Sequence, residues 1–462
     1  MLSVAVHFKR QVHMVCDLDY MRGNYFRNLM PYCNFPSQPV IGSEGTLMMM
    51  TRESGIYTME SVHTLIRHGD RNNLHKMRNG IPPTLSCMLT EDMTAQHPEL
   101  KDFLSAMGSQ RREPGQTFHN WEVFPHSSVC ATGSLTPRGA VQHVLNGAFF
   151  KDVYIEDHNL IDVAKFKEQV LVRCTNKSRT FQSAAAFLFG LFPSYDLSTL
   201  TIEQADNNSM CTKDMAHSCY CPELGMYLDK MSCHMQIERL EVMNRPLAMR
   251  IYQHVSETMG VASNSLPTLA KLLDMSMVHV CHQLPLPGRT DRCIEDWTVF
   301  DMNEILIENG ATQVKSELFR RVAMVKMIPL LQEIAERMAT QVRGDTKVRF
   351  VLYSGHDTSI DPLAVALNIS DGHWPRYASR IVLELVSYTA TKDISVDKKD
   401  YYIRVLYDGK LVTHLVSFCR GKIVSHELRL CPFELFHAFV NGGYLELIGA
   451  TSYTDACAKL TR

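Results

Sequence analysis

The stretch KVRFVLYSGHDTSIDPLAVALNI, residues 347–369, carries the pattern on which the fold prediction rests. An apolar run near residues 348–353 predicts a buried β-strand. The polar residues Ser354, Gly355 and His356 then predict a loop, and the apolar residues beyond them predict a helix. A strand that passes through a short polar loop into a helix is typical of an α/β fold.

Two other stretches share this design. In SVHTLIRHGDR, residues 61–71, an apolar strand ends in polar residues. In EQVLVRCTNKSRTFQSAAAFLFGLF, residues 168–192, a strand over about 168–174 leads through a polar loop into a helix that begins near Ser178. Near-continuous apolar strands that alternate with helices predict a mostly parallel central sheet covered by helices. Ligands of such sheets bind beyond the carboxyl ends of the strands, where all three polar loops are expected to lie.

The length and composition of the chain predict a large globular protein. It has 462 residues, of which 45% are hydrophobic and 21% charged, so disorder is not the expected state of the whole chain. We expect a poorly ordered leader over residues 1–52 and one large domain over residues 53–462. Segments at about 75–130 and 205–320 are expected to contribute an inserted helical cap subdomain over the strand ends.

Several secondary-structure elements outside the three stretches can also be predicted. Residues about 234–262 and 299–342 are predicted to be helical, and Pro329 is expected to bend or break the second helix. Near the C-terminus, Asp408 and Gly409 lie between two apolar runs, which predicts a hairpin with a type I′ turn.

The charge and hydropathy of the chain exclude some classes of partner. The formal net charge is −2, so nothing indicates a nucleic-acid duplex or an anionic membrane surface as a partner. No apolar run is long enough for a membrane-spanning helix. The N-terminal residues contain no recognisable signal peptide, which leaves a cytosolic protein or a missing or atypical targeting segment as alternatives.

The chain contains 14 cysteines, which are spread over its length. One cluster contains Cys211, Cys219, Cys221 and Cys233. Only one residue separates Cys219 from Cys221, whereas cysteines of structural zinc sites usually have about two to four residues between them. We therefore favour disulfides, which form in an oxidising compartment, over a zinc site and over reduced buried thiols.

Three arginines in the polar loops indicate an anion site. Arg67, Arg71 and Arg179 carry guanidinium groups, which suit several oxygens of one anion. Arg179 lies near a predicted helix N-terminus, where backbone amides and the helix dipole also favour an anion. Gly69 has no side chain, which allows another group to come close to its backbone. A single arginine more often pairs with an acidic side chain, but three at strand ends predict a phosphate site.

His68 lies between two of these arginines in the sequence. Positive neighbours disfavour the imidazolium form, so the pKa of His68 should be low and the ring neutral. A neutral imidazole is a nucleophile, and arginines beside it would spread the charge of a transferring phosphoryl group. The pattern indicates phosphoryl transfer through a phosphohistidine. The alternative is a histidine that only hydrogen-bonds its own loop.

His356 and Asp357 form a second polar pair after a predicted strand. An alkoxide leaves poorly, so an acid should protonate it, and a phosphate beside Asp357 would raise the pKa of this carboxyl group. Nearby arginines would lower the same pKa. His356 is a candidate ligand of the transferring phosphate. Two alternatives remain: a metal-dependent phosphohydrolase in which the pair binds the metal, or an Asp357 that only caps the following helix.

These residues resemble the motifs of the histidine phosphatases, in the branch that contains the acid phosphatases. LIRHGDR, residues 65–71, resembles the R-H-G-x-R signature, and SGHDTS, residues 354–359, resembles the distal His-Asp pair. TNKSRTFQS, residues 175–183, lies between them with its arginine. The resemblance implies an α/β sandwich with a helical cap and no metal or other cofactor. The implied site consists of the nucleophile His68, the proton donor Asp357 and the phosphate-binding residues Arg67, Arg71, Arg179 and His356.

Further stretches, among them SLTPRGAVQHVLNG and PRYASRIVLEL, resemble family members that remove the 2-phosphate of xylose in the proteoglycan linkage region in the Golgi. The implied partner is a phosphorylated sugar or a proteoglycan linker, without nucleic acid. General acid phosphatase or inositol polyphosphate phosphatase activity is an alternative, as is a non-catalytic anion-binding or scaffold protein. One departure from the family is Asn73, where proline is usual, which leaves the rigidity of this loop open.

Overall fold

The computed structural model describes residues 23–36, 41–47, 55–108, 117–124, 127–193, 201–205, 210, 221–227, 245–390 and 399–460. Within these residues the strands are β1 (Gly55–Arg67), β2 (Val170–Cys174), β3 (Ile202–Gln204), β4 (Phe350–Gly355), β5 (Arg380–Ala390), β6 (Asp400–Tyr407), β7 (Lys410–Leu411) and β8 (Cys431–Pro432). The helices of the same residues are α1 (Asn24–Cys33), α2 (Glu91–Gln96), α3 (Pro98–Gly108), α4 (Pro137–Phe150), α5 (Phe166–Gln169), α6 (Ser178–Leu191), α7 (Pro246–Met259), α8 (Leu269–Cys281), α9 (Asp296–Gln313), α10 (Glu317–Arg343), α11 (Asp357–Ala366), α12 (Phe433–Ala438), α13 (Tyr444–Leu447) and α14 (Tyr453–Ala458).

The strands form one mixed sheet in the order β3-β2-β4-β1-β5-β6-β7, with β8 paired to β6. Strands β1 to β4 pair in parallel, whereas β5 lies antiparallel to β1 and β6 lies antiparallel to β5. The predicted α/β class, with a mostly parallel central sheet covered by helices, is confirmed. The antiparallel pairing of β5 with β1 and β6 was not predicted, because an apolar run does not indicate the direction in which its strand pairs.

Side chains of the central strands alternate between two cores on opposite faces of the sheet. Val62 and Ile66 of β1 pack into one core with α4 and α6. Leu65 packs into the other core, which α10 and α11 cover. On β4, Leu352 belongs to the first core and Tyr353 to the second. Burial on both faces explains why these strands are near-continuous apolar runs in the sequence.

Helices α4 and α6 cross with their backbones in close contact. A Cβ atom at Gly147 would lie 2.0 Å from the carbonyl oxygen of Phe187, and a Cβ atom at Gly190 would lie 2.0 Å from that of Val144. The helix pair therefore requires glycine at both positions. Its packing matters for function because both helices hydrogen-bond the loop that follows β1. Gln142 of α4 accepts from the backbone N–H of Asp70, and Ser183 of α6 accepts from that of Gly69.

The helix predictions need one correction. The segment predicted as a single helix over residues 299–342 consists of α9 and α10, and Ser316 separates them by accepting a hydrogen bond from the backbone N–H of Phe319. Pro329 lies within α10 and does not end it. A side-chain cap satisfies an amide at the start of a new helix, whereas an internal proline removes only one bond of an existing helix. Of the helix predicted over 234–262, the described part is α7.

The predicted hairpin is confirmed at its turn. Asp408 and Gly409 have φ angles of 47° and 80°, and a type I′ turn requires positive φ at both central residues. The second strand of the hairpin is short, because β7 is followed by a 3₁₀ turn at Thr413–Leu415.

The chain divides into two compact units. The larger contains Asn34–Asn72, Leu85–Gln236 and Ile307–Arg462. The smaller contains Met1–Cys33, Asn73–Thr84 and Ile237–Leu306. In the smaller unit, a disulfide joins Cys33 at the end of α1 to Cys281 at the end of α8. The predicted extent of a helical cap, about 75–130 and 205–320, stays a prediction.

The prediction of a poorly ordered leader over residues 1–52 stays a prediction, although residues 41–47 within it contact the sheet. Glu44 is buried and accepts a hydrogen bond from Nε of Arg380 at 2.7 Å. The backbone N–H of Gly45 donates to Oε1 of Glu384 at 2.7 Å. The partners lie more than 330 positions away along the chain, so no local pattern could predict that this segment is held in place.

Disulfides form as predicted between Cys33 and Cys281, Cys87 and Cys130, Cys221 and Cys457, and Cys419 and Cys431. Because Cys221 is bonded to Cys457, its thiolate is not available to the zinc cluster that the sequence left open. Cys211, Cys219 and Cys233 lie outside the described residues. In the described part of the chain, no helix is both long enough and apolar enough to span a membrane.

Candidate active site

The carboxyl ends of β1, β2 and β4 lie side by side in the sheet. Arg67 of β1 pairs with Gly355 of β4, and Cys174 of β2 pairs with Ser354 of β4. The polar loops that leave the three strands therefore begin at one edge, as parallel strands require. The structure brings together the six residues predicted to form the site, which are Arg67, His68, Arg71, Arg179, His356 and Asp357.

His68 is buried, and its own loop sets the orientation of its ring. Nδ1 lies 2.8 Å from the carbonyl oxygen of Gly69. A carbonyl oxygen only accepts, so Nδ1 carries the proton and Nε2 carries a lone pair. Burial and then the charges of Arg179 and Arg67 hold the pKa of His68 well below its ordinary value of 6.5. The low pKa agrees with the predicted neutral ring, in which Nε2 carries the free lone pair.

Three guanidinium groups act on His68. Arg67 is fully buried and Arg71 is nearly so. Arg179, in the first turn of α6, brings Nη2 to 3.5 Å from Nδ1 of His356. Burial and the charge of Arg71 lower the pKa of Arg179 to about 10, which leaves it positively charged at neutral pH. A bound anion would relieve the repulsion among these charges, so the arrangement favours phosphate.

His356 connects two of the three loops. Its Nε2 lies 2.8 Å from Oγ1 of Thr175, and its Nδ1 faces Arg179. Arginine only donates, so Nδ1 accepts and Nε2–H donates to Thr175. Burial and Arg179 lower the pKa of His356 to about 3, and its ring centroid lies 5.5 Å from that of His68. His356 also occupies the N-cap position of α11, so Asp357 is not the cap.

Asp357 begins α11, and its two carboxylate oxygens have different partners. Oδ1 accepts from the backbone N–H of Thr358 at 2.8 Å. Oδ2 accepts from Nε1 of Trp374 at 2.7 Å and from Nη2 of Arg67 at 3.3 Å. Burial alone would raise the pKa of Asp357, but Arg67, the Trp374 hydrogen bond and Arg71 outweigh it and hold this pKa below its ordinary value of 3.8. The carboxylate is therefore ionised before an anion binds.

The loop after β1 is fastened to α4. The backbone N–H of Asp70 donates to Oε1 of Gln142 at 2.8 Å, and the carboxylate of Asp70 accepts from the hydroxyl of Thr136, the N-cap of α4. Gly69 lies so close to this helix that a Cβ atom would be 2.3 Å from the carbonyl oxygen of Gly139. The close approach expected at Gly69 is therefore made by a helix backbone.

Asn72 holds the end of the same loop. Its backbone N–H donates to the carbonyl oxygen of Ser134 at 2.9 Å, and its side-chain amide donates to that of Cys130 at 2.7 Å. Cys130 in turn is joined to Cys87 by a disulfide. These bonds restrain the loop next to Asn73, where the family usually has proline.

The segment that immediately precedes β5 also contributes to the site, which was not predicted from the sequence. Besides the bond from Trp374 to Asp357, the carbonyl oxygen of Pro375 accepts from Nη1 of Arg67, and the Tyr377 ring centroid lies 4.6 Å from the Arg67 guanidinium carbon. The signal in the sequence was an aromatic-rich WPRY motif before an apolar strand. Nothing in that motif indicates that this loop returns to the site.

Two further titratable residues near Asp357 were also missed. Nζ of Lys326 in α10 donates to the carbonyl oxygen of Thr358 at 2.6 Å. Burial lowers the pKa of Lys326 to about 8, against the opposing effects of Asp357 and Asp361. Burial and the charge of Asp357 raise the pKa of Asp361 to about 6. The charge around Asp357 therefore changes with pH near neutrality.

The sequence around these residues matches a known protein family. The family described as histidine phosphatase superfamily (branch 2) matches residues 58–408, which include all six residues of the site. The chain belongs to the histidine phosphatase superfamily, branch 2. It is a phosphoric monoester hydrolase of the histidine acid phosphatase type.

Relatives and solved structures extend the comparison over most of the chain. This histidine phosphatase is 31% identical over 470 residues to 2-phosphoxylose phosphatase 1 of Danio rerio, covering 97% of this chain and 90% of the relative. It is 29% identical to 2-phosphoxylose phosphatase 1 of Homo sapiens, covering 93% of this chain and 86% of the relative. The multiple inositol polyphosphate phosphatase of Bifidobacterium longum in complex with phosphate shares the fold, with a TM-score of 0.55, 11% identity and coverage of 94% and 100% of the two chains.

Proposed function

We propose that this histidine phosphatase hydrolyses phosphate monoesters by transferring the phosphoryl group to Nε2 of His68. One observation carries the proposal, the 2.8 Å hydrogen bond from Nδ1 of His68 to the carbonyl oxygen of Gly69. It leaves Nε2 unprotonated in a ring on which three arginines act. A neutral imidazole is the nucleophile, and the arginines supply positive charge where the phosphoryl oxygens would lie.

In the first step, Nε2 of His68 attacks phosphorus, and the bond from phosphorus to the ester oxygen breaks. Asp357 in its protonated form gives its proton to that oxygen, which leaves as a neutral alcohol. The oxygens of the transferring group are bound by Arg67, Arg71, Arg179 and His356.

Asp357 has to gain a proton before it can act as the acid. Arg67, Trp374 and Arg71 hold it ionised in the ligand-free site. A bound phosphate raises the pKa of Asp357 by its own negative charge and by neutralising the arginines. The proton comes from solvent or from a substrate that binds as the monoanion.

In the second step, water attacks the phosphorus of the phosphohistidine and the bond between phosphorus and nitrogen breaks. Asp357, now a carboxylate, takes a proton from the attacking water. Inorganic phosphate leaves, and the ring of His68 is again neutral. The two steps consume one water and release one alcohol and one phosphate.

As the substrate, we propose the 2-phosphate of xylose in the linkage region between glycosaminoglycan and protein. The relatives named 2-phosphoxylose phosphatase 1, which align with more than 90% of this chain, support it. We place the protein in the secretory pathway, in the Golgi. Disulfides such as Cys87–Cys130 and Cys419–Cys431 support an oxidising compartment.

A turnover comparison tests the substrate. We expect kcat/KM to be highest for a phosphoxylosyl linker and lower for both a phosphopeptide and inositol hexakisphosphate. The highest value for inositol hexakisphosphate would indicate an inositol polyphosphate phosphatase, and similar values for all three would indicate a general acid phosphatase.

Trapping of the intermediate tests the chemistry. Phosphate from a labelled substrate should be found on His68 after a quench that avoids acid, and His68→Ala should abolish turnover. His426→Ala, at an exposed histidine, is the control and should behave like the wild type. A chelator should leave turnover unchanged, whereas loss of turnover in the chelator would favour a metal-dependent phosphohydrolase.

A further inference from the structure

Trp374 connects the segment before β5 to Asp357. Its Nε1 lies 2.7 Å from Oδ2 of Asp357, the oxygen that Nη2 of Arg67 approaches at 3.3 Å. The other carboxylate oxygen accepts from the backbone N–H of Thr358 at 2.8 Å. Donors from three different elements therefore act on one carboxylate and restrict its rotation.

The three donors differ in their other contacts and in their rigidity. The N–H of Thr358 belongs to the same helix as Asp357, and Arg67 also donates to the carbonyl oxygen of Pro375. The indole of Trp374 is rigid, and its single polar atom is an N–H that only donates. It therefore holds the acceptor oxygen at a defined place relative to the core of the site.

We propose that Trp374 is a positioning residue for Asp357, which it holds in the orientation that protonates the leaving oxygen. The inference rests on the proposed function, in which Asp357 is the acid. An acid is effective only while its carboxyl group lies within hydrogen-bond reach of the oxygen that it protonates. Loss of the indole N–H lets the carboxylate rotate toward Arg67 and away from that oxygen.

This role makes the effect of Trp374 depend on the leaving group. The oxygen of a sugar or an alkyl alcohol leaves as a strong base unless it is protonated, so its release needs a well-placed acid. The p-nitrophenolate ion is stable without a proton. In the first step, a misplaced Asp357 therefore slows release of the alcohol from sugar and alkyl phosphates and spares release of p-nitrophenolate, whereas a purely structural defect slows both alike. The second step is the same for all substrates, so the comparison is made on the first step.

The test compares wild type, Trp374→Phe and Asp357→Asn on p-nitrophenyl phosphate, glycerol 2-phosphate and xylose 2-phosphate. Phe keeps an aromatic ring and removes the N–H. For Trp374→Phe we expect the single-turnover rate of alcohol release from the two alkyl-type substrates to fall about 10- to 100-fold, a part of what a general acid supplies. We expect the single-turnover rate of p-nitrophenolate release to change less than about threefold, because that release needs no acid.

The double variant Trp374→Phe/Asp357→Asn shows through which residue Trp374 acts. Asp357→Asn should also slow alcohol release from the two alkyl-type substrates and spare p-nitrophenyl phosphate, and the loss on the alkyl-type substrates should be larger than in Trp374→Phe. Adding Trp374→Phe to it should cause no further loss, since two residues that act as a unit are not additive.

Trp297→Phe is the matched control. Nε1 of Trp297 also donates to a carboxylate, Oε2 of Glu295 at 2.9 Å, but neither residue belongs to the six-residue site. We expect wild-type kcat on all three substrates. Thermal unfolding is measured for every variant, and Trp374→Met, which also lacks the N–H, replaces Trp374→Phe if that variant does not fold.

The outcomes separate the two proposals. Equal loss on all substrates in a folded Trp374 variant, wild-type kinetics on all of them, or failure of both variants to fold would overturn the positioning role. A wild-type protein inactive on every phosphate monoester, or full turnover in His68→Ala, would overturn the proposed function instead.

Discussion

Glu384 of β5 and Arg404 of β6 are cross-strand partners and form an ion pair, with 2.6 Å between Oε2 and Nη1, in which neither side chain is exposed. Oε1 of Glu384 also accepts from the hydroxyl of Tyr154 at 2.6 Å and from the backbone N–H of Gly45. Arg404 donates through Nη2 to the carbonyl oxygen of Ser43. The pair therefore fastens the segment before β1 to the antiparallel half of the sheet.

Removing one partner of this pair should be more harmful than removing both. Arg404→Met leaves the buried carboxylate of Glu384 uncompensated and is expected to lower the free energy of unfolding by about 3–5 kcal/mol. The double variant Arg404→Met/Glu384→Leu should recover part of that loss, because no buried charge remains. Urea denaturation measures both.

The exposed pair of Lys347 and Glu168, at 2.6 Å, supplies the control. Lys347→Met should cause little measurable change, since solvent screens an exposed pair. If Arg404→Met/Glu384→Leu lost as much stability as its two single variants together, the cost could not come from an uncompensated buried charge.

Two buried histidines should make stability depend on pH. Burial lowers the pKa of His63 and of His143 to about 3, whereas the ordinary value is 6.5. Between these values the unfolded chain binds more protons, so stability is highest above about pH 6.5 and falls as the pH decreases toward about 3. His143→Gln should flatten this loss by up to about 1.4 kcal/mol per pH unit.

Thermal unfolding at several pH values between neutral and acid measures the change of stability per pH unit. Only this slope is compared between variants, so a difference in their absolute stability does not affect the result. His426→Gln, at an exposed position, should leave the slope as in the wild type. A slope in His143→Gln identical to that of the wild type would mean that this histidine does not limit acid stability.

Arg179 should control the acid limb of the pH–rate profile. After burial, its charge is the largest cause of the low pKa of both His68 and His356. Arg179→Gln should therefore raise both pKa values. Since His68 attacks only as a neutral ring, kcat/KM should then begin to fall at a higher pH as the solution is acidified.

The same variant should weaken inhibition by inorganic phosphate about tenfold or more, because a charge-assisted hydrogen bond is lost. Arg173→Gln is the control, since Arg173 pairs with Glu203 and Glu333 and is not one of the six site residues. Weaker phosphate binding with an unmoved acid limb would show that burial and the remaining arginines, Arg67 and Arg71, keep His68 neutral without Arg179.

Asn72 should contribute to both stability and turnover. Asn72→Ala removes the donor to the carbonyl oxygen of Cys130, and leaving that buried oxygen unpaired should cost about 1–3 kcal/mol. Turnover should fall as well, because the same loop carries His68 and Arg71. Thermal unfolding and kcat/KM are measured together. Asn441→Ala, which removes an exposed bond to His437, should change neither, and a destabilised Asn72→Ala with wild-type kcat/KM would contradict the role in the loop.

The chemistry-bearing residues could be predicted from sequence for a specific reason. His68 and Asp357 each follow an apolar run long enough to be a buried strand. Parallel strands have their carboxyl ends at one edge of a sheet, so residues far apart in sequence had to meet there. Arg179 was expected at the same edge for the same reason, and the strand before it does pair with the strand before Asp357.

Contacts that depend on distant parts of the chain escaped prediction. Glu44 lies in a segment without apolar periodicity, and the bonds of this segment to Arg380, Glu384 and Arg404 show why it is held in place. Trp374 lies in a loop whose path local propensities do not determine. The antiparallel pairing of β5 with β1 is likewise a property of the assembled sheet.

The sequence by itself determined which side chains form the site, because nucleophile, cation and acid are properties of residue types placed after recognisable strands. The sequence also indicated a neutral His68, but only the tertiary structure decided the protonation of Asp357, on which the expected effects opposed each other. The pKa of His68 depends on burial and on its distance from arginines of other loops, and that of Asp357 depends on Arg67 and Trp374. Such electrostatic effects follow distances in space, which the order of residues along the chain does not contain.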